Sequence, residues 1–128
     1  NNNQVVGYNG GQDPIVHLVS TVDAVVNAGL PFVFYDGHPV MVLSNAYSNI
    51  ADLNKVDWGV MNSPWWFDSA QYPDRKRRRM AEFLLHSHLP FTLVQEIGVI
   101  DKAMAARVSG LLGGTHQPVV TVRKNWYY

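Results

Sequence analysis

Cysteine is absent from the 128 residues, so neither a disulfide framework nor a thiolate metal site is open to the chain. That absence suits a reducing compartment, and a cytoplasmic protein is the expectation. Long apolar runs are missing too. None approaches the ~18 residues needed to cross a bilayer, and the opening Asn1-Asn2-Asn3-Gln4 has neither the basic nor the apolar region of a signal peptide. A soluble protein without a membrane partner follows. No Gly-x-Gly-x-x-Gly and no Gly-Lys-Ser/Thr loop occurs, which disfavours two common nucleotide-binding modes. Glutamate is scarce: eight of the ten carboxylates are Asp, leaving Glu82 and Glu96 to be considered singly.

What is present argues for a folded chain. An apolar share of 47% with 12% aromatics is too rich for disorder, and the length fits a single domain over residues 1–128. Net charge is zero, yet half of the ten Lys and Arg residues stand together in Arg75-Lys76-Arg77-Arg78-Arg79. A concentrated positive patch on a neutral body points to a polyanionic partner. The competing reading is a solvated charge run that keeps a loop soluble. Trp65, Trp66, Phe67 and Tyr72 precede the run, so cations for phosphates and ring faces for unstacked bases favour a single-stranded nucleic acid.

The order of elements reads as α+β, with a mixed or antiparallel sheet and flanking helices. Gly7 to Pro14 is a loop of turn residues; Ile15 to Val19 is a β-branched strand; Ser20 or Thr21 caps a helix through Asn27, stopped by Gly29. Pro31 to Tyr35 is a second strand. The turn Asp36-Gly37-His38-Pro39 joins it in a hairpin to a third, Val40 to Leu43. Ile50, Leu53, Val56 and Val60 recur at helical spacing, interrupted near Asp57-Trp58-Gly59, and predict one or two short helices. Residues 61–74 form an irregular loop pinned by aromatics. Met80 to Leu85 predicts a strand, and Leu93 to Ile100 another that pairs with it. Asp101 caps a helix through Leu112, ended by Gly113-Gly114, and Pro118 to Val122 is the last strand before Trp126-Tyr127-Tyr128.

Glu82 is the leading candidate for chemistry. On a strand its side chain shares a face with Met80, Leu84 and His86, where a carboxylate is costly to bury. It reads either as a catalytic base or charge stabiliser, or as an edge carboxylate paired with a neighbouring Arg. Glu82, His86 and His88 on one face also invite a metal-site reading, though their spacing matches no known signature and no metal is the expectation. His17 lies inside an apolar strand and reads as a core histidine. His38, in its tight turn, is the more usable one.

Several segments together resemble the DarT-type DNA ADP-ribosyltransferases, toxins of bacterial toxin–antitoxin pairs. They are Gly7 to Leu18, Phe34-Tyr35-Asp36-Gly37-His38, Asp52-Leu53 with Val56-Asp57-Trp58, Asp74 to Arg79, Ala81 to His86, and the closing Trp126-Tyr127-Tyr128. The resemblance implies an ADP-ribosyltransferase-like fold. It implies NAD+ as co-substrate and a base, thymidine or guanosine, in single-stranded DNA as acceptor, with a macrodomain antitoxin of the DarG kind as partner. Glu82 matches the family's catalytic Glu and His38 a turn near the nicotinamide pocket. Arg75, Lys76, Arg77, Arg78 and Arg79 fall in the loop that presents the DNA. Family members carry a further N-terminal portion, with a His-containing NAD+-binding strand and an active-site Arg, that nothing in Asn1 to Gln12 matches. The expectation is the C-terminal part of the fold: a fragment, a naturally short relative, or a chain whose other half comes from elsewhere. The alternative function is a non-catalytic nucleic-acid-binding module, and a third is a metal-dependent enzyme using His86 and His88.

Overall fold

A computed structural model of the chain describes residues 10–127. Gly7-Tyr8-Asn9 of the opening loop and Tyr128 of the tail lie outside them. In chain order the elements are β1 (His17–Val19), α1 (Val22–Asn27), β2 (Phe32–Tyr35), β3 (Ala46–Tyr47), a 3-10 helix (Ile50–Lys55), α2 (Trp58–Met61), α3 (Arg75–Arg79) and β4 (Phe83–Leu85). There follow a 3-10 turn (Phe91–Leu93), β5 (Glu96–Val99), α4 (Lys102–Leu111), β6 (Val119–Val122) and a last 3-10 turn (Lys124–Trp126). They gather into two compact units, one made of the described residues up to 28 and from 89 onward, the other of residues 29–88.

The first unit is built on a mixed sheet in the order β1-β5-β6, antiparallel between β1 and β5 and parallel between β5 and β6. Its core is Val94, Ile97 and Val99, packed by Leu89, Val120, the Met104, Ala105 and Val108 face of α4, and Leu112 just after that helix. Both helices begin as their capping residues require. The Thr21 hydroxyl accepts from Ala24 N–H, and the Asp101 carboxylate accepts from Met104 N–H at 2.8 Å. α1 ends where Gly29 adopts φ of 65°, a left-handed angle that glycine takes at little cost. β5 was expected to pair with the strand around residues 80–85. Instead β1 and β6 occupy its two edges, and that earlier strand lies in the other unit.

One glycine of this unit is required by a close approach. A Cβ on Gly98 would fall 2.5 Å from Cζ3 of Trp126 and 2.8 Å from Cε3, so the indole ring rests directly on the β5 backbone. His17, the register partner of Gly98, meets Trp126 and Tyr127 edge-on with ring centroids at 5.5 and 5.0 Å. The Tyr127 hydroxyl donates to the Ile15 carbonyl at 2.7 Å. Gly98→Ala is therefore expected to expel the indole and lower the unfolding free energy by about 2 kcal/mol, the middle of the range for overpacking. Urea denaturation checks it, and an unchanged midpoint would mean that the aromatic tail contributes nothing.

The second unit is built on an antiparallel sheet in the order β3-β2-β4. Phe32 and Phe34 lie on one face of β2 and stack with Phe83 and Tyr47 at centroid distances of 4.9 to 6.1 Å, and Phe34 is 1% exposed. The expected hairpin strand Val40 to Leu43 does not form. Two turns take its place, Met41 N–H donating to the His38 carbonyl and Ser44 N–H to that of Met41, and all four residues are exposed. The return strand is β3, set by the Asp36 carboxylate, which accepts from Asn45 N–H at 2.9 Å and from its side-chain amide at 3.0 Å.

The basic run is a helix rather than a loop, and its last turn shortens the following strand. Met80 N–H and Ala81 N–H donate back to the Arg77 and Arg78 carbonyls, so the strand expected from Met80 begins at Phe83. Among the described residues no helix is long and apolar enough to cross a membrane.

Candidate functional site

Glu82 stands one position before β4 at the end of the sheet of the second unit. Its carbonyl accepts from Tyr35 N–H at 2.9 Å, which extends the β2–β4 ladder one step beyond the Phe34–Phe83 pair. Its backbone is pinned there while its side chain is exposed. No hydrogen bond or ion pair engages its carboxylate among the described residues. The reading of Glu82 as an edge carboxylate neutralised by Arg has no support in this geometry. Neither has a metal centre with His86 and His88: among the described residues no three His, Asp or Glu side chains gather to hold an ion.

β2 runs from Tyr35 directly into the turn that carries His38. Asp36 is the anchor of that turn. Besides Asn45 it accepts from the Tyr47 hydroxyl at 3.3 Å and faces the Arg77 guanidinium at 3.4 Å, with both side chains largely buried. Burial alone would raise the Asp36 carboxyl; the Asn45 and Tyr47 hydrogen bonds and the Arg77 charge outweigh it and hold it below its ordinary 3.8. Gly37 is buried against Arg77 and Ser44, where a Cβ would lie 2.3 Å from Arg77 Nη1. His38 N–H donates to the Arg77 carbonyl at 2.9 Å, so the turn is bound to α3 through both side chain and backbone. The imidazole is half-buried, and no bond joins it to Glu82.

The five basic residues have separate fates. Arg77 makes a bidentate pair with Asp74, with its Nε and Nη2 donating at 2.7 to 3.0 Å. That bond with Arg77 is the main reason the Asp74 carboxyl lies below its usual value, and it raises the Arg77 guanidinium in turn. Arg79 caps the C-terminal end of α2, its Nη1 donating to the carbonyls of Val60, Met61 and Ser63, while the guanidinium lies over the Trp66 ring at 4.4 Å. Arg78 pairs at 3.0 Å with Asp57, the residue that caps the other end of α2 through Val60 N–H. Both ends of that four-residue helix are thus fixed by α3. Lys76 is exposed and its side chain has no partner among the described residues. Arg75 is 9% exposed, over the Tyr72 ring at 4.5 Å.

Of the expected base platforms, Tyr72 and Trp66 carry arginines, and Trp65 and Phe67 pack in a tilted pair at 5.6 Å, each more than half exposed. Asp36, Asp57 and Asp74 stood within the segments that carry the family resemblance, but with no role given to them. Asp74 stands three and four residues before Arg77 and Arg78, a spacing that signals pairing on a helix, whereas nothing local says that Asp36 or Asp57 finds its partner in the basic run.

The description "ssDNA thymidine ADP-ribosyltransferase, DarT" belongs to a family model that matches residues 1–128. A DNA ADP-ribosyl transferase of Thermus sp. (strain 2.9) is 37% identical over 124 residues, which are 94% of this chain and 58% of that protein. The chain spans little more than half the length of the curated relatives it matches. Among solved structures, Thermus sp. 2.9 DarT in complex with NAD+ superposes with a TM-score of 0.88 at 36% identity, covering 95% of this chain and 62% of that one. The same protein in complex with ADP-ribosylated ssDNA gives the same TM-score and identity, with 58% of that chain covered. The pinned Glu82, the Asp36–His38 turn and the basic helix sit in a fold shared with these proteins, and the chain belongs to the DarT family of single-stranded DNA thymidine ADP-ribosyltransferases.

Proposed function

We propose that this protein serves the transfer of ADP-ribose from NAD+ to a thymidine-type base in single-stranded DNA, with Glu82 at the reacting centre. The observation that carries the reading is the state of Glu82: backbone held in the sheet ladder, carboxylate exposed and without a cationic partner. A carboxylate already neutralised by Arg would be a poor base. An unpaired one on a rigid strand end is available to developing positive charge.

In the step, the bond from the ribose C1′ to the nicotinamide nitrogen breaks and nicotinamide leaves with the electron pair. The ribose becomes oxocarbenium-like, and the base nitrogen forms the new bond to C1′. Glu82 steadies the cationic ribose and accepts the proton that the base nitrogen releases. His38, on the turn held by Asp36 and Arg77, is assigned to the nicotinamide side. Arg75, Lys76 and Arg78 are assigned to DNA phosphates, while Arg77 and Arg79 hold the scaffold that carries them. A macrodomain antitoxin as partner and a cytoplasmic location belong to the same proposal, by likeness to the family.

The test is a transfer assay with NAD+ and single-stranded oligonucleotides. It uses the chain itself and a Thermus sp. 2.9 enzyme whose matching segment is replaced by this one. The expected result is an oligonucleotide heavier by one ADP-ribose. A folded chimera that binds NAD+ and DNA but leaves the oligonucleotide unmodified would overturn the proposal in favour of a binding module.

A further inference from the structure

Tyr35 is the residue that the sheet of the second unit places opposite Glu82. The antiparallel register pairs Val33 with Leu84 and Phe34 with Phe83, and the bond from Tyr35 N–H to the Glu82 carbonyl at 2.9 Å carries it one step further. Residues directly opposite on neighbouring strands point to the same face, with Cβ atoms about 5 Å apart. Side chains alternate along each strand. Phe32 and Phe34 therefore take the packed face with Phe83, and Val33 and Tyr35 share the other with Leu84 and Glu82.

That second face is open. Glu82 is exposed, Leu84 is 40% exposed, and the β3 partner of Tyr35 is Ala46, which is exposed and offers only a methyl group. Across the three strands the row reads Ala46, Tyr35, Glu82, with polar side-chain groups on the last two alone. The hydroxyls of Tyr47 and Tyr127 are bonded to acceptors of the protein. That of Tyr35, on a half-buried ring, has no partner among the described residues, and neither has the Glu82 carboxylate. The two are not bonded to each other in the structure, but over a separation of about 5 Å between Cβ atoms a change of rotamer brings a phenol hydroxyl to a glutamate carboxylate. A hydroxyl donating to an ionised carboxylate makes a short, strong hydrogen bond.

We infer that Tyr35 is a positioning residue, whose hydroxyl donates to the Glu82 carboxylate and fixes the direction in which that carboxylate meets the reacting centre. The coupling of the two side chains stands on register and exposure. Only its use in ADP-ribose transfer rests on the function proposed above. β2 then serves the site twice, through Tyr35 and through the His38 turn that follows it.

The experiment reads the coupling and its use separately. The chain has two glutamates, and Glu96 is held by Arg123 at 2.7 Å, so glutamate isotope-labelled at the carboxyl carbon gives one reporting and one reference NMR signal in the full chain. Tyr35→Phe keeps the ring and removes the hydroxyl. It is expected to move the Glu82 carboxyl signal and leave that of Glu96 in place, with the melting temperature within about a degree of wild type, since no bonded group is lost. In the chimera with the Thermus sp. 2.9 enzyme, Tyr35→Phe should lower kcat about tenfold or more, the worth of a hydrogen bond to a charged group, with KM for NAD+ and for oligonucleotide unchanged. In a Glu82→Gln background it should cost nothing further, because a residue that acts through Glu82 has nothing left to orient. A Glu82 signal indifferent to Tyr35→Phe would overturn the coupling, whatever the chimera does. A moved signal with kcat unchanged would overturn the positioning role and leave transfer by Glu82 standing. Equal proportional losses with and without Glu82→Gln, or a raised KM for NAD+, would also sink that role and make Tyr35 a substrate contact. A chimera that folds but transfers nothing, with the signal moved, would keep the coupling and overturn the proposed function instead.

Discussion

Glu82→Gln is expected to reduce ADP-ribose transfer by two to four orders of magnitude, the usual worth of a positioned proton acceptor, while leaving the fold intact. The side chain is exposed and has no ionic partner, so its change to the amide should alter unfolding free energy by no more than about 0.5 kcal/mol. Glu82's contribution to the sheet is a backbone carbonyl, which glutamine supplies equally. Oligonucleotide affinity should also hold, since the residue carries none of the cationic contacts. The informative measurement is therefore a pair: melting temperature and transfer rate on the same preparation. A variant that melts several degrees lower and transfers as fast per folded molecule would make Glu82 a scaffold residue.

Arg77→Ala should have the opposite profile, a large loss of stability from a residue outside the chemistry. Its side chain is 12% exposed between Asp36 and Asp74, and removing it leaves Asp36 without its cation, Asp74 with Arg78 alone at 3.4 Å, and a cleft beside Gly37. Opening a buried pair of this kind costs on the order of 3 kcal/mol. The Asp36–His38 turn should loosen with it, so transfer falls through misplacement of His38. Acid should act on the same bonds. Asp36, Asp57 and Asp74 all have carboxyl pKa values depressed by their partners, so their stabilisation is complete above the unfolded value near 4 and is lost as pH falls through the lower folded values. Melting temperature should be flat from neutral pH to about 5 and drop below about 4. In Arg77→Ala that acid drop should be shallower, because Asp74 loses the main partner that depresses it and Asp36 loses the Arg77 charge that adds to its Asn45 and Tyr47 hydrogen bonds. An acid limb as steep as that of the wild type would place the linkage elsewhere.

Local chemistry made much of the fold legible. Thr21 and Asp101 cap the helices they were expected to cap, Gly29 ends α1, and the strands at residues 32–35 and 119–122 follow their β-branched and aromatic composition. What was not legible depends on partners far along the chain. Val40 to Leu43 reads as a strand by composition, but Asp36 bonds Asn45 and brings back a later segment as β3. The run Arg75 to Arg79 offers no reason for a helix, since like charges three and four apart repel. Asp74 at its start and carboxylates at positions 36 and 57 from outside supply the reason, and a single sequence does not show where the distant two come to lie. For the candidate site, Glu82 stands out in the sequence because glutamate is rare in this chain, and its role in the chemistry belongs to the proposal. The division of the basic run into bracing and available residues was not legible, since it follows from which side chains meet acceptors brought from elsewhere in the fold.

The discontinuity of the first unit bears on how the chain reaches this state during synthesis. β1 finds its partner β5 roughly eighty residues later, and the parallel neighbour β6 comes later still, so this sheet closes long loops and forms slowly. Residues 29–88 contain every strand of the other sheet and every partner of the basic helix. As the polypeptide leaves the ribosome, the segment bearing Glu82 is able to fold before β5 has emerged. In the interval β1 has no partner strand, and its pairing waits for residues 96–99.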